Sequence, residues 1–164
     1  MKEILLTQGY IALIDDEDYE LVSQYKWRVQ KVRTGYYAVR NSSRVNGKQK
    51  RIYLHRFILS PESGFEIDHI NHNGLDNRRE NLRVCTRSEN QSNRIATKKT
   101  SKYKGVSWNS RYKKWKAVLM HNKKSYFLGY FSDELAAAIA YNNKANSVQG
   151  EFSLADGLDF TDGK

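Results

Sequence analysis

A single cysteine, Cys85, stands in a chain of 164 residues. That denies the chain the two covalent devices by which small folds are often held. A disulfide framework needs pairs, and a zinc clip needs spaced thiolates such as C-x-x-C. Its modules must therefore be stabilised by packing, with help from a neighbour or a ligand where a core is small. The material for packing is present: 39% of residues are hydrophobic and 12% aromatic, eleven of them Tyr, which argues against wholesale disorder. The length suits one ordinary domain or two to three very small ones. Cys85 itself reads as a buried small hydrophobe. The apolar start at Met1–Leu6 is too short for a signal peptide, and no apolar run approaches membrane-spanning length. A cytoplasmic protein of a bacterial or phage-infected cell, with no membrane partner, is the expectation.

The net charge is +10, and its distribution says more than its size. No Asp or Glu lies between Glu20 and Glu62, a stretch that carries Lys26, Arg28, Arg33, Arg40, Arg44 and Arg51 among others. None lies between Glu89 and Asp133 either, where Arg111, Lys113, Lys114, Lys116, Lys123 and Lys124 fall. Two acid-free basic tracts flanking a mixed centre suit a polyanion that runs past that centre. Aromatic residues interleave with the charges, which favours nucleic acid over two solvated basic faces.

The hydrophobic pattern predicts an α+β chain. Residues 1–54 form a β-rich region, with strands at Tyr10–Ile14, Lys26–Val32 and Gly35–Arg40 and a hairpin turn at Asn46-Gly47 before Ile52. A short helix at His55–Leu59 should end before Pro61, the only proline. Residues 61–95 read as loop, a short strand at Phe65–Ile67, a turn-rich stretch at Asn71–Asn77, and a helix at Ser88–Ile95 capped by Ser88. Residues 96–102 read as a basic linker. Residues 103–164 then form three strands, Tyr103–Trp108, Lys114–Met120 and Ser125–Phe131, and a helix from Asp133 to Val148 capped by Ser132. Alternation turns Trp115, Ala117, Leu119, Tyr126 and Leu128 toward that helix. The opposite face receives Lys114, Lys116, Val118, Met120, Ser125 and Phe127.

Chemistry concentrates in Asp68-His69, in Asp76-Asn77-Arg78-Arg79-Glu80-Asn81-Leu82-Arg83, and in Glu89-Asn90-Gln91-Ser92-Asn93. An Asp beside a His at a strand end supplies one hard oxygen and one imidazole on opposite sides of the backbone. A neutral imidazole suits deprotonation of water near pH 7, and a hard cation suits the charge of a reacting phosphodiester.

This D-H…N-L-R…E-N-x-x-N spacing resembles the signature of HNH endonucleases, the phage and intron homing branch in particular, over roughly residues 50–95. The resemblance implies a ββα-metal nuclease core at residues 55–95 and hydrolysis of DNA, with one strand nicked per active site. It implies His69 as the general base, Asp68 and Asn90 as ligands of one divalent ion, and Asn81 as the residue that braces the loop around His69. Mg²⁺ is the ion implied, with Mn²⁺ the alternative. No structural zinc is implied, because the Cys-based clip of many HNH families is missing. His55 and Asn93 are candidates for support of the site. Arg78 and Arg83 are candidates for phosphate contact. A non-catalytic DNA-binding regulator with a vestigial motif is the alternative, against which intact Asp68, His69 and Asn90 argue.

Tyr103-Lys104-Gly105-Val106, Lys114-Trp115-Lys116-Ala117, Phe127-Leu128-Gly129-Tyr130-Phe131 and Ala137-Ala138-Ile139-Ala140-Tyr141 resemble the ethylene-response-factor (Apetala-two) type of DNA-binding domain, over about residues 101–152. That resemblance implies a three-stranded sheet laid in the major groove of double-stranded DNA. The outer face would meet DNA through Lys104, Ser107, Asn109, Arg111, Lys114, Lys116, Val118, Met120, Ser125 and Phe127. Several of these replace the Arg, Glu or Trp of the plant pattern, so docking mode carries over and sequence preference does not.

Overall fold

The computed structural model describes residues 1–33, 35–93 and 100–153. The chain divides into two compact units, Met1–Thr86 and Arg87–Lys164. Among the described residues three small sheets lie in the first unit and one in the second, each unit with helices, so the class is α+β.

The first unit opens with a hairpin. Strand β1 (Lys2–Leu5) pairs antiparallel with β2 (Ile11–Ile14). The apolar start of the chain is thus the partner of the first expected strand. The acidic segment that follows forms a 3-10 turn at Asp16–Asp18 and a short helix α1 (Tyr19–Ser23). Strands β3 (Arg28–Val32), β4 (Gly35–Asn41) and β5 (Arg51–Tyr53) make an antiparallel sheet with β4 in the middle. Asn46 and Gly47 both take left-handed backbone, φ 49° and 73°, and Val45 and Lys48 exchange two backbone bonds around them. That is the two-residue turn whose twist matches a hairpin. Helix α2 (Leu54–Leu59) ends at Ser60, which is left-handed at φ 43°, one residue before Pro61. Ile4, Ile14, Val22, Trp27, Ala38 and Leu54 pool into one core, and the Trp27 indole N–H donates to the Val22 carbonyl at 3.0 Å.

Strand β6 (Glu66–His69) and strand β7 (Leu82–Cys85) form a separate antiparallel hairpin that sets Asp68 opposite Arg83 and His69 opposite Leu82. Sequence reasoning assigned no strand to residues 82–85. The run is only four residues long, and the reason for Arg83 in it emerges only in the fold. Cys85 is buried, as a small hydrophobe would be.

The second unit begins with helix α3 (Arg87–Ser92). The helix starts one residue before the expected cap, so Ser88 lies inside it, and its hydroxyl donates to Asn122 Oδ1 at 2.9 Å instead. The rest of that predicted helix, and the linker at 96–99, fall outside the described residues. Strands β8 (Val106–Asn109), β9 (Lys114–His121) and β10 (Lys124–Phe131) form an antiparallel sheet with β9 central. Helix α4 (Glu134–Gln149) packs on it: Val106 and Ala117 meet Ala137 and Ala138, and Leu119 meets Tyr141 and Ala145. Its cap is Asp133 rather than Ser132, because the Asp133 carboxylate accepts from the Ala136 N–H at 2.8 Å. A carboxylate there satisfies an orphan donor and complements the helix dipole together. Gly105 lets α4 sit close. A Cβ on it would lie 2.1 Å from the Tyr141 ring, and its φ of +70° is left-handed.

One irregularity alters the expected alternation. Phe127 faces Val118 across the sheet, but Gly129 faces Ala117, so Leu128 is an extra residue in β10. Beyond this bulge Phe131 turns toward the helix and Tyr130 joins Lys116 on the outer face. A glycine inside a strand is the local signal for such a bulge.

Candidate active site

The site begins from the loop between β6 and β7, which leaves His69 and returns at Leu82. Asn71 and Asn73 fold its first half: Asn71 Oδ1 accepts from the Asn73 N–H at 2.8 Å and Asn73 Oδ1 from the Leu75 N–H at 3.1 Å. Such turns are what short amide side chains favour. The second half is stitched to β2, where the Leu13 N–H donates to the Leu75 carbonyl and the Asn77 N–H to the Leu13 carbonyl, both at 2.8 Å. Gly74 allows close approach to β4, since a Cβ there would come within 2.5 Å of the Tyr36 carbonyl.

Asn81 ties the two halves together. Its Nδ2 donates to the Asp76 carbonyl at 2.7 Å, its Oδ1 accepts from the Asn71 N–H at 3.0 Å, and its backbone carbonyl accepts from Ile70 at 2.9 Å. Each bond fixes a residue within a few positions of His69. Asp76, buried, accepts from Asn71 Nδ2 at 2.8 Å and from two nitrogens of Arg78 at 2.8 and 2.7 Å. The Arg78 hydrogen bonds hold its carboxyl below the usual range. Outside the loop, Arg79 reaches back to the acidic turn. Its side chain donates to both oxygens of buried Asp18, at 3.0 and 2.7 Å, and its N–H donates to Asp15 Oδ2 at 2.7 Å.

His69 is buried in an aromatic box. The His55 ring stands 5.0 Å away and nearly perpendicular, and Tyr37 lies 5.7 Å from both rings. Tyr53 closes the box at 5.4 Å from His55. Burial pushes the His69 pKa down, and the neighbouring Asn77 amide with the Asp68 and Asp76 charges pulls against it; the balance lies below the ordinary value. His55 is pushed to about 3, first by burial and then by the neighbouring His69 and Arg56. Both imidazoles are therefore neutral at pH 7. Sequence reasoning singled out neither Tyr37 nor Asn77, which is fully buried against this ring. No local pattern marks Tyr37 among eleven tyrosines.

Asp68 lies beside His69, buried, with its Oδ2 accepting from Arg83 Nε and Nη2 at 2.9 and 2.7 Å. Arg78 and Arg83, expected to contact phosphate, are both engaged by carboxylates. Among the described residues no group of three or more His, Cys, Asp and Glu side chains is arranged to hold a metal. Of the two expected ligands the first unit supplies one, the buried Asp68 carboxylate. That fits a hard ion that keeps much of its water and shares phosphate oxygens, and it does not fit a caged soft metal. Asn90 lies on α3 and Asn93 just after it, both in the second unit, while Asp68, His69, Asn81 and His55 are brought together in the first.

The comparisons with known proteins agree with this geometry. Residues 60–92 match the HNH endonuclease family model. That segment contains the β6–β7 hairpin, its loop and α3, and leaves out His55, Tyr37 and the acidic turn. An uncharacterized HNH endonuclease of Acanthamoeba polyphaga mimivirus is 29% identical over 159 residues, 93% of this chain and 78% of that protein. Similarity to an HNH protein thus runs through both units. No solved structure matches the chain.

The second unit carries the remaining site candidates. Ser107 lies opposite Lys116 and Asn109 opposite Lys114, which puts all four on the outer face with Val118, Met120, Ser125 and Phe127. Lys116 approaches the Phe127 ring at 6.0 Å, Tyr130 lies 5.2 Å from Phe127, and Tyr112 lies 4.8 Å from Tyr130. Tyr112 and Tyr130 are additions to the expected surface. Arg111 sits over Tyr112 at 5.7 Å. Lys104 departs from expectation: its ammonium donates to the Ser92 carbonyl of α3.

Proposed function

We propose that this chain is a metal-dependent DNA endonuclease whose base is His69. The observation that carries the proposal is a buried, neutral imidazole beside a buried carboxylate, next to a loop that Asn81 fixes through three hydrogen bonds. His69 takes a proton from a water molecule, the water oxygen attacks phosphorus, and the bond to the leaving oxygen breaks. Burial supports this role by keeping the imidazole unprotonated. Asp68 would hold a divalent ion, Mg²⁺ or Mn²⁺, and the resemblance adds Asn90 as second ligand. When bound, the ion supplies positive charge to the phosphate and the departing oxygen. Asn81 acts by positioning, and His55 supports the His69 ring through the aromatic box. One such site cuts one strand, so nicking is the expected outcome. Double-stranded DNA is held by the outer face of β8–β9–β10, where Arg111, Lys114 and Lys116 offer cations and Ser107 and Asn109 offer hydrogen bonds suited to a groove.

The test is conversion of supercoiled plasmid to open circle with Mg²⁺. His69→Ala should slow it by roughly 10²- to 10⁴-fold while plasmid binding persists. Asn90→Ala, read in a metal titration, should raise the metal concentration required. A second function, DNA binding with a vestigial motif, is favoured by one observation: Arg83 already neutralises Asp68. Wild-type protein that binds plasmid and leaves it intact across divalent metals would establish that function instead.

A further inference from the structure

The second unit contains a cavity of about 870 Å³ between α3, the β9–β10 turn and the end of α4. Among the described residues its lining includes Arg87, Lys104 and Lys123 and no carboxylate, which favours an anion. Val118, Met120 and Tyr141 give it an apolar wall. Two buried polar atoms of the lining have no hydrogen-bond partner among the described residues, Gln149 Oε1 and His121 Nδ1. Gln149 is only 8% exposed. The two atoms differ in kind. Asn122 receives the Ser88 hydroxyl on its Oδ1, so its Nδ2 faces His121 Nε2, at 3.0 Å. An Nε2 that accepts leaves the ring proton on Nδ1. The cavity thus lacks partners for one acceptor and one donor.

Inorganic phosphate near neutral pH keeps a P–OH and could meet both atoms, but it leaves the apolar wall of Val118, Met120 and Tyr141 uncovered. A nucleobase edge offers a donor and an acceptor together, its face fits an apolar wall, and its phosphate fits the cations. We infer that this cavity binds one nucleotide unit, base inward and phosphate at Lys123 and Arg87. The unit is either a free mononucleotide or a nucleotide unstacked from a DNA strand.

The backbone supports a role for Lys123. Asn122 and Lys123 form a two-residue turn with φ 48° and 62°. The second position of such a turn favours glycine, and lysine there is strained. A strained cation at the mouth of an anion-selective cavity fits a site that keeps function at the expense of stability.

The inference concerns binding and does not depend on cleavage. Calorimetry on the full chain would use the four deoxynucleoside monophosphates, with inorganic phosphate as control. At least one monophosphate should bind roughly tenfold or more tightly than phosphate, and Gln149→Met should remove about that tenfold advantage. Lys123→Gly should weaken binding while Tm rises by roughly 2–5 °C, which loss of fold would not produce. A duplex carrying 2-aminopurine reports the second source: its fluorescence should rise on binding if a base is unstacked, and Gln149→Met should abolish the rise. Absence of both signals, binding unchanged in Gln149→Met, or phosphate binding as tightly as every nucleotide would each overturn the inference.

Discussion

Arg78, Arg79 and Arg83 in the first unit each meet a carboxylate at 2.7 Å. Among the described residues Arg111, Lys114, Lys116, Lys123 and Lys124 of the second unit meet none. Arg40, from the first basic tract, is also committed, stacked 3.9 Å from the Tyr25 ring. The same residue types therefore do different work. Those three arginines of the first unit are spent on carboxylates, and these five cations of the second stand open to an anion. Net charge and acid-free tracts do not separate these cases. Pairing does, and pairing depends on which distant residues the fold brings near.

The comparison can be broken from either side. The largest effect belongs to His69→Ala in the plasmid assay, and the contrast fails if an Arg111, Lys114 or Lys116 variant removes cleavage equally while leaving DNA binding intact. Next comes Asp18→Ala, which removes the buried partner of Arg79 and leaves it Glu17, and should cost roughly 1–2 kcal/mol, read by urea unfolding. Lys114→Ala with Lys116→Ala should leave stability within about 0.5 kcal/mol. An effect of similar size concerns pH. The His55 pKa falls from an ordinary value near 6.5 to about 3 on folding. Above pH 6.5 both states are neutral and nothing is gained. As pH falls below that, the unfolded chain takes up the proton first, so stability declines from pH 6.5 toward 3. At pH 5 the loss should be about 1–2 kcal/mol relative to pH 7, and His55→Phe should flatten the slope. Smallest is the double lysine variant in a binding titration, where the slope of log K against log salt should drop by about 1.8 in magnitude if both lysines contact phosphate. An unchanged slope would move the DNA surface elsewhere.

Much of the second unit was legible because its signals are local. Alternation put Ala117 and Leu119 inward, and an Ala-rich run predicted a helix that lies close. What alternation missed was the bulge at Leu128, which sends Tyr130 outward, because period two carries no information about an inserted residue. In the first unit the spacing of Asp68, His69 and Asn81 pointed to one cluster, and the structure gathers them. It did not point to Tyr37, Asn77 or Asp18. Their roles arise from contacts with partners far along the chain, such as Asp18 with Arg79 across 61 positions. Arg83 was legible as a cation, and its Asp68 partner was not, since that partner lies across a strand pair.

The stitching of the loop to β2 and to the acidic turn bears on whether the nuclease motif is portable. The residues proposed to carry the chemistry lie within 60–92, yet Leu13, Asp15 and Asp18 hold the loop from outside that window. A segment cut to the motif would keep His69 and Asp68 and lose the frame that orients them. Transplanting this site into another scaffold would require carrying the amino-terminal hairpin with it.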